Sequence, residues 1–177
     1  MVLKWLREQG CPWNERTCQC AAFSGQLAVI QWARQHGGLW SEHTCAAAAI
    51  GGHLEVLQWA REHHCPWDAR TCECAAEGGH LEVLQWAWEL HCPWNEEVCA
   101  ISALGGHLPV LRWAREHSCP WEDYVVCQYA AQSGNLDMLQ WAREQDCSWN
   151  SETCSIGRFG RAHGYVTVGT GAQLRVG

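Results

Sequence analysis

Most large side chains are scarce in this 177-residue sequence, which contains only two Phe, three Tyr and two Met. Long apolar runs are also missing, so the sequence offers no candidate for a membrane-spanning helix. Near the start, Lys4, Arg7 and Glu8 occupy the region where a secretory signal peptide needs an apolar run. We therefore expect an intracellular protein, assigned first to the cytoplasm, and we expect no membrane among its partners.

Blocks of basic residues are missing as well. Lys and Arg total 12 against 19 Asp and Glu, which gives a formal net charge of −7. Because phosphate backbones are held by clustered positive charge, nucleic acid is not an expected partner. The sequence is 47% hydrophobic and 18% charged, a balance that supports a buried core and argues against a disordered chain.

Tryptophan and cysteine are the residues in excess, with 13 of each. Nearly all the tryptophans fall into two columns with a constant step, which is one residue longer at the end of each column. The first column is Trp5, Trp32, Trp59, Trp86, Trp113 and Trp141, and the second is Trp13, Trp40, Trp67, Trp94, Trp121 and Trp149. A regular period of about 27 residues predicts a solenoid of stacked repeats.

Each repeat is predicted to be an antiparallel pair of helices, as the unit 69–95 illustrates. Its first helix follows Asp68, a good N-cap residue, and ends at Gly78, while its second runs from near His80 to about Leu90. The same N-cap position holds Asn14, Ser41, Asn95 and Asn150, with Glu122 as a weaker substitute. We expect the Cys-Pro-Trp motif, with Pro66, Pro93 and Pro120, to stop the second helices. The predicted fold is an all-α solenoid in which alanine columns bring helices together and tryptophans fill the space between repeats.

Two segments carry a family resemblance. The stretch GGHLEVLQWAREHHCPWD resembles the second helix of an ankyrin repeat, and the preceding TCECAAEGGH resembles the ankyrin segment TPLHLAAENGH. Ankyrin repeats have a longer period, of about 33 residues, and the segment that is missing here corresponds to their β-hairpin finger. The resemblance implies an ankyrin-like array with shortened or absent fingers. It also implies protein binding, no catalytic residues and no cofactor.

The predicted array covers residues 1–156, and both of its ends are irregular. It comprises a partial repeat, 1–14, the full repeats 15–41, 42–68, 69–95, 96–122 and 123–150, and the start of another, 151–156. Residues 157–177 abandon the pattern, although a one-base shift of frame can restore it. We interpret this tail as an out-of-frame translation of the next repeat and expect it to be disordered. The chain is then a fragment of a longer array, with self-association expected through uncapped repeat ends.

Cysteines and histidines are the candidates for chemistry. Most cysteines form two columns that match core positions, which favours small buried side chains over ligands. A Cys-rich metal-binding or redox-responsive protein is the alternative interpretation. His53, His80 and His107 share a column with Gln26 and Asn135, so hydrogen bonding is the predicted role. No residue is predicted to be catalytic or to bind a metal.

Positions that vary between repeats are the candidates for binding a partner, whose identity the sequence does not reveal. One column on the exposed side of the first helices contains Phe23, Ile50, Glu77, Leu104 and Gln132. In ankyrin-like arrays, first helices line the concave groove, so large apolar residues there are candidate anchors. Trp88 is a sixth candidate, because Arg34, Arg61, Arg115 and Arg143 occupy its position in other repeats. The alternative is that these residues are surface variation without a role in binding.

Overall fold

A computed structural model describes Gly10 and residues 14–148 of the chain. This part contains ten α-helices and no strand, and the helices alternate as first and second members of five pairs. They are α1 Glu15–Phe23, α2 Leu27–Gln35, α3 Glu42–Ile50, α4 Leu54–Glu62, α5 Ala69–Glu77, α6 Leu81–Glu89, α7 Glu97–Leu104, α8 Leu108–Glu116, α9 Asp123–Ser133 and α10 Leu136–Glu144. The all-α solenoid of helix pairs predicted from the repeat is confirmed.

The first helices begin where their N-cap residues predict, with one exception. The side chains of Asn14 and Asp68 accept hydrogen bonds from the backbone N–H groups of Arg16 and Arg70, at 3.0 and 3.1 Å. The prediction for Asn95 is wrong, because α7 begins at Glu97 and follows Glu96. The Asn95 amide instead donates to Glu73 Oε1 of α5, the preceding first helix, at 2.9 Å.

The second helices end before the Cys-Pro-Trp motif, so the prediction that proline stops them is wrong. A residue in the left-handed conformation follows the end of each of these helices: Gly37, His64, His91, Ser118 and Asp146. The next residue's N–H then bonds a carbonyl in the last turn, as Cys65 N does with Ala60 O at 2.9 Å. This closure satisfies helix-end carbonyls that would otherwise lack partners.

The core is built by stacking the pairs. First helices pack directly on one another through a column of fully or almost fully buried alanines: Ala22, Ala49, Ala76, Ala103 and Ala131. Second helices pack mainly on the first helix of their own pair and make far fewer direct contacts with each other. Their buried faces supply a second column, consisting of Ile30, Leu57, Leu84, Leu111 and Leu139. The repeats are therefore closest together on the side of the first helices.

Several predictions concern residues outside the described part. These are the partial repeat before residue 15, the Trp149 layer with its uncapped end, and the tail 157–177. Within the described residues, no helix combines the length and the apolar character that crossing a bilayer requires.

Candidate functional site

The predicted binding column lies along one edge of the solenoid, at the ends of the first helices. Phe23, Ile50, Glu77 and Leu104 are each the last residue of a first helix, and Gln132 is the last but one of α9. Phe23 is 56% exposed and Leu104 43% exposed, whereas Ile50 is half-buried. Glu77 and Gln132 are exposed. The structure therefore places all five at the surface in successive repeats, and Glu77 separates the apolar pair Phe23 and Ile50 from Leu104.

The backbone beneath this edge is tied from repeat to repeat by the histidine column. The carbonyl oxygens of Phe23, Ile50 and Glu77 accept from Nε2 of the histidine at the matching position of the next repeat, at 3.1, 3.1 and 2.9 Å. The donors are His53, His80 and His107. A carbonyl oxygen only accepts, so Nε2 of each ring carries a proton. The predicted hydrogen-bonding role is confirmed, but the partner belongs to the preceding repeat.

Asparagine replaces histidine in the last of these links. Asn135 Nδ2 donates to Gly106 O at 3.2 Å, and its Oδ1 accepts from Met138 N at 3.1 Å. The shorter side chain thus makes both the link to the preceding repeat and the N-cap of its own helix. This explains why Asn and His occupy the same column.

The Gly-Gly pair that precedes a histidine in one repeat makes room for the histidine ring of the following repeat. Gly52 and Gly79 both have φ of +73°, and a Cβ on either would lie 2.5 Å from the ring of His80 or His107 in the following repeat. The predicted role in ending the first helix therefore explains the glycine pair only in part. The recurrence of Gly-Gly-His as a unit was the available signal, since residues that recur together within one chain point to a shared contact.

Tryptophans form a second set of links, at the other end of the helix pairs. Each described tryptophan of the loop after a second helix, Cys-Pro-Trp or, at Trp40, Gly-Leu-Trp, packs edge-to-face on the helical tryptophan of the next repeat. The ring centroids of Trp40 and Trp59, for example, are 5.8 Å apart, and those of Trp94 and Trp113 are 5.9 Å apart. Trp67–Trp86 and Trp121–Trp141 repeat the arrangement. The predicted filling of the space between repeats is confirmed for these columns.

Trp88 replaces a cation–π contact by an aromatic cluster. In other repeats the arginine at this position stacks over the loop tryptophan, and Arg61 Cζ lies 4.1 Å from the Trp67 ring centroid. Trp88 instead packs 5.7 Å from Trp113 and 4.9 Å from His117, measured between centroids. It keeps 36% of its surface exposed, and Leu90 beside it on the surface is 51% exposed. Trp88 is thus a half-packed residue with one exposed edge.

The cysteine columns are buried, as predicted, but the structure also brings the two columns together. In four of the five described repeats, the first-helix cysteine meets the loop cysteine of the same repeat, as Cys45 meets Cys65 and Cys99 meets Cys119. The hydrogen bond within each pair, together with burial, raises the pKa of Cys65 and Cys119 far above the usual thiol range. The regular period relates cysteines only within a column, so it does not predict this pairing between columns.

Comparison with known proteins adds one short match. The family described as the CXCXC repeat matches residues 12–21, a segment that contains Cys18 and Cys20. In the structure Cys18 is buried and Cys20 is exposed, so the two thiols lie on different sides of α1. No curated protein matches the chain.

Proposed function

We propose that this chain is a non-enzymatic scaffold for protein–protein interaction and a fragment of a longer, ankyrin-like array. The observation that carries the proposal is the contrast between a core that repeats closely and an exposed column that varies. Phe23 and Leu104 project apolar surface at positions where other repeats place Glu77 and Gln132. Exposed apolar side chains on a rigid support are suited to act as binding anchors.

The rigidity of this edge supports the proposal. Each apolar residue of the column sits where its helix ends, and the carbonyls of Phe23 and Ile50 are bonded to the next repeat. The anchors are therefore held at a fixed spacing before any partner arrives, which reduces the entropy lost on binding.

The ankyrin-like assignment is part of the proposal. It is supported by the helix pairs, by the glycine turns between them, and by the short connections that follow the second helices. Residues 90–96, for example, link α6 to α7 without a strand. The closer packing of the first helices supports a concave side there, which is the side that binds partners in ankyrin-like arrays. An intracellular location belongs to the same proposal.

Trp88 belongs to a separate surface in this proposal. Because the helices of a pair are antiparallel, the ends of first helices lie near the Gly-Gly-His turns, whereas Trp88 lies in the last turn of α6, near the Cys-Pro-Trp loop. Leu90, two residues further along the chain, lines a groove of about 590 Å³ together with Trp67 and Trp86. A partner that contacts Phe23 is therefore not expected to contact Trp88 through the same short segment.

The experiment compares partners captured by three forms of the full chain from an extract of its own source. The double variant Phe23→Glu and Leu104→Glu is expected to lose the specific partner, with at least about a tenfold fall in affinity. Leu39→Glu is the matched control, since Leu39 is 60% exposed and lies outside the column. An identical set of partners for all three forms would contradict the proposal.

A Cys-rich metal-binding or redox-responsive protein is the competing hypothesis, and the metal can be tested directly. In the described part of the chain, no three His, Cys, Asp or Glu residues are grouped so as to hold an ion. A zinc assay that found stoichiometric metal in the purified chain would favour this alternative over the scaffold.

A further inference from the structure

Four consecutive repeats contain the same buried pair of cysteines. One member lies in the first turns of the first helix, and the other lies in the loop after the second helix. The pairs are Cys45 with Cys65, Cys72 with Cys92, Cys99 with Cys119, and Cys127 with Cys147. In the first three, the two thiols are neighbours, and the interaction between them is the largest influence on the pKa of Cys65, Cys72 and Cys119. The fourth pair is joined as a disulfide with a Cα–Cα distance of 6.2 Å.

The fold produces this proximity in the same way in each repeat. The left-handed residue that ends the second helix turns the following cysteine back towards the start of its own first helix. There its Sγ donates to the carbonyl that lies one helical turn before the partner cysteine: Cys65 to Ser41 O at 3.4 Å and Cys119 to Asn95 O at 3.3 Å. Cys92 makes the same bond to Asp68 O at 3.4 Å. The pairing is therefore a property of the repeat, built by its backbone.

The chemistry of a buried thiol pair favours oxidation over metal binding. Structural metal sites in proteins usually use four ligands, whereas each of these sites offers only two sulfurs. A dithiol and a disulfide are both neutral and occupy similar volume. Each site has only two sulfurs, so the two-electron conversion of the dithiol to the disulfide is the reaction that the surroundings accommodate best.

We propose that the array carries a ladder of dithiol–disulfide sites, one within each of four consecutive repeats, that hydrogen peroxide oxidises. The sulfur of one cysteine attacks a peroxide oxygen, which breaks the O–O bond and yields a sulfenic acid and one water. The sulfur of the partner cysteine then displaces the hydroxyl of the sulfenic acid, forming the S–S bond and releasing a second water. The two sulfurs supply two electrons, and both thiol protons leave in water.

Each bond ties the start of a first helix to the end of the second helix in the same repeat. Such a link restricts the unfolded form of that repeat and so makes it harder to unfold. Since each repeat contributes its own stability and its contacts with neighbours, the ladder adjusts the stability of the array repeat by repeat. It does so without altering the exposed column of the first helices.

The first helix pair contains an internal control. Gly38 occupies the position of the second cysteine, so Cys18 has no cysteine at the matching position in its repeat. Cys20 is exposed and reports whether peroxide has reacted with the chain at all. These two residues distinguish specific pairing from general oxidation.

The test maps disulfides in the purified full chain, first reduced and then treated with hydrogen peroxide. Remaining thiols are alkylated in denaturant, and peptides are analysed by mass spectrometry without reduction. We expect the four links named above, with Cys18 alkylated. Links that join different repeats at comparable yield would overturn the proposal, as would full alkylation of the paired cysteines once Cys20 is oxidised.

Two variants and one melting experiment complete the test. Cys92→Ala adds no bulk and is expected to leave Cys72 alkylated while the other three links form. Gly38→Cys is expected to create a fifth link, although its Cβ would lie 2.8 Å from Ala33 O and the loop must shift slightly.

Oxidation is expected to raise the melting temperature of the original chain by several degrees. It is expected to leave the melting temperature of a variant with alanine at all four loop cysteines unchanged. An equal rise in that variant would contradict the proposed links.

Discussion

The two ends of each helix pair are held to the neighbouring repeats by different interactions. At the Gly-Gly-His end, a histidine donates to a carbonyl of the preceding repeat, and a glycine makes room for its ring. At the Cys-Pro-Trp end, a loop tryptophan packs on a helical tryptophan of the next repeat. The first end relies on one directional bond over a close backbone approach, and the second on a large apolar contact area. A repeat can therefore be loosened at one end without losing the contact at the other.

Thiol ionisation tests the Cys-Pro-Trp end and has the largest expected effect. The pKa of Cys65, Cys72 and Cys119 is raised in the folded protein, first by the hydrogen bond within each pair and then by burial. Above the ordinary thiol pKa of roughly 8.5, the unfolded chain loses these protons and the folded chain keeps them. The reduced protein is therefore expected to lose up to about 1.4 kcal/mol of stability per pH unit for each such thiol.

Denaturant unfolding from about pH 8 to about pH 10, across the ordinary thiol range, measures this loss. Cys65→Ala is the control, because it removes one of the three thiols and so is expected to flatten the dependence by about one proton. If the free energy of unfolding falls equally steeply with pH in both proteins, the folded chain does not keep the Cys65 proton as described.

Removal of one tryptophan tests the apolar contact directly. Trp113 packs on Trp94 and Trp88, so Trp113→Ala is expected to lower the free energy of unfolding by about 3–5 kcal/mol. Thermal and denaturant melts provide the measurement. The exposed Leu39→Ala serves for comparison and is expected to change stability by less than about 0.5 kcal/mol. Similar losses for the two variants would contradict a packing role for the tryptophan ladder.

Two glycines with nearly the same φ test the Gly-Gly-His end and have the smallest expected effect. Gly37→Ala, with φ of +79° and open space around its Cβ position, is expected to cost about 1 kcal/mol through backbone strain alone. Gly79→Ala has the same strain and also places Cβ 2.5 Å from the His107 ring, so about 2–3 kcal/mol is expected. Adding His107→Ala to Gly79→Ala is expected to remove the excess. Equal costs for the two glycine variants would show that the ring does not need this space.

Local patterns in the sequence were sufficient to predict much of the fold. Asp68 marks the start of α5, the glycine pair marks its end, and the regular period of the tryptophans predicts that the pairs stack. These features succeed because a cap or a turn depends on residues within a few positions of each other. They fail where a residue distant in sequence makes a contact: Asn95 has the right residue type for an N-cap, but its amide donates to Glu73 of α5.

The candidate site was likewise predicted from the sequence in part. That Phe23 and Leu104 are exposed follows from helical spacing, and the structure agrees. That Trp88 packs on Trp113 and His117 does not follow, because these residues belong to the next repeat and no local pattern relates them. The end of the second helix was predicted correctly at about Leu90, but its cause was missed, since left-handed His64 and His91 are ordinary helix-compatible residues in sequence.

Residue type and period alone predict that the chain repeats regularly, that each repeat is a helix pair, and which side chains are small and buried. Which buried groups meet depends on how the helices pack in three dimensions. Cysteines of one repeat come together because the antiparallel pair folds back on itself, and histidines reach carbonyls of the preceding repeat because the repeats stack. Periodicity gives the positions along each helix, whereas contacts across helices depend on their relative placement, which packing alone determines.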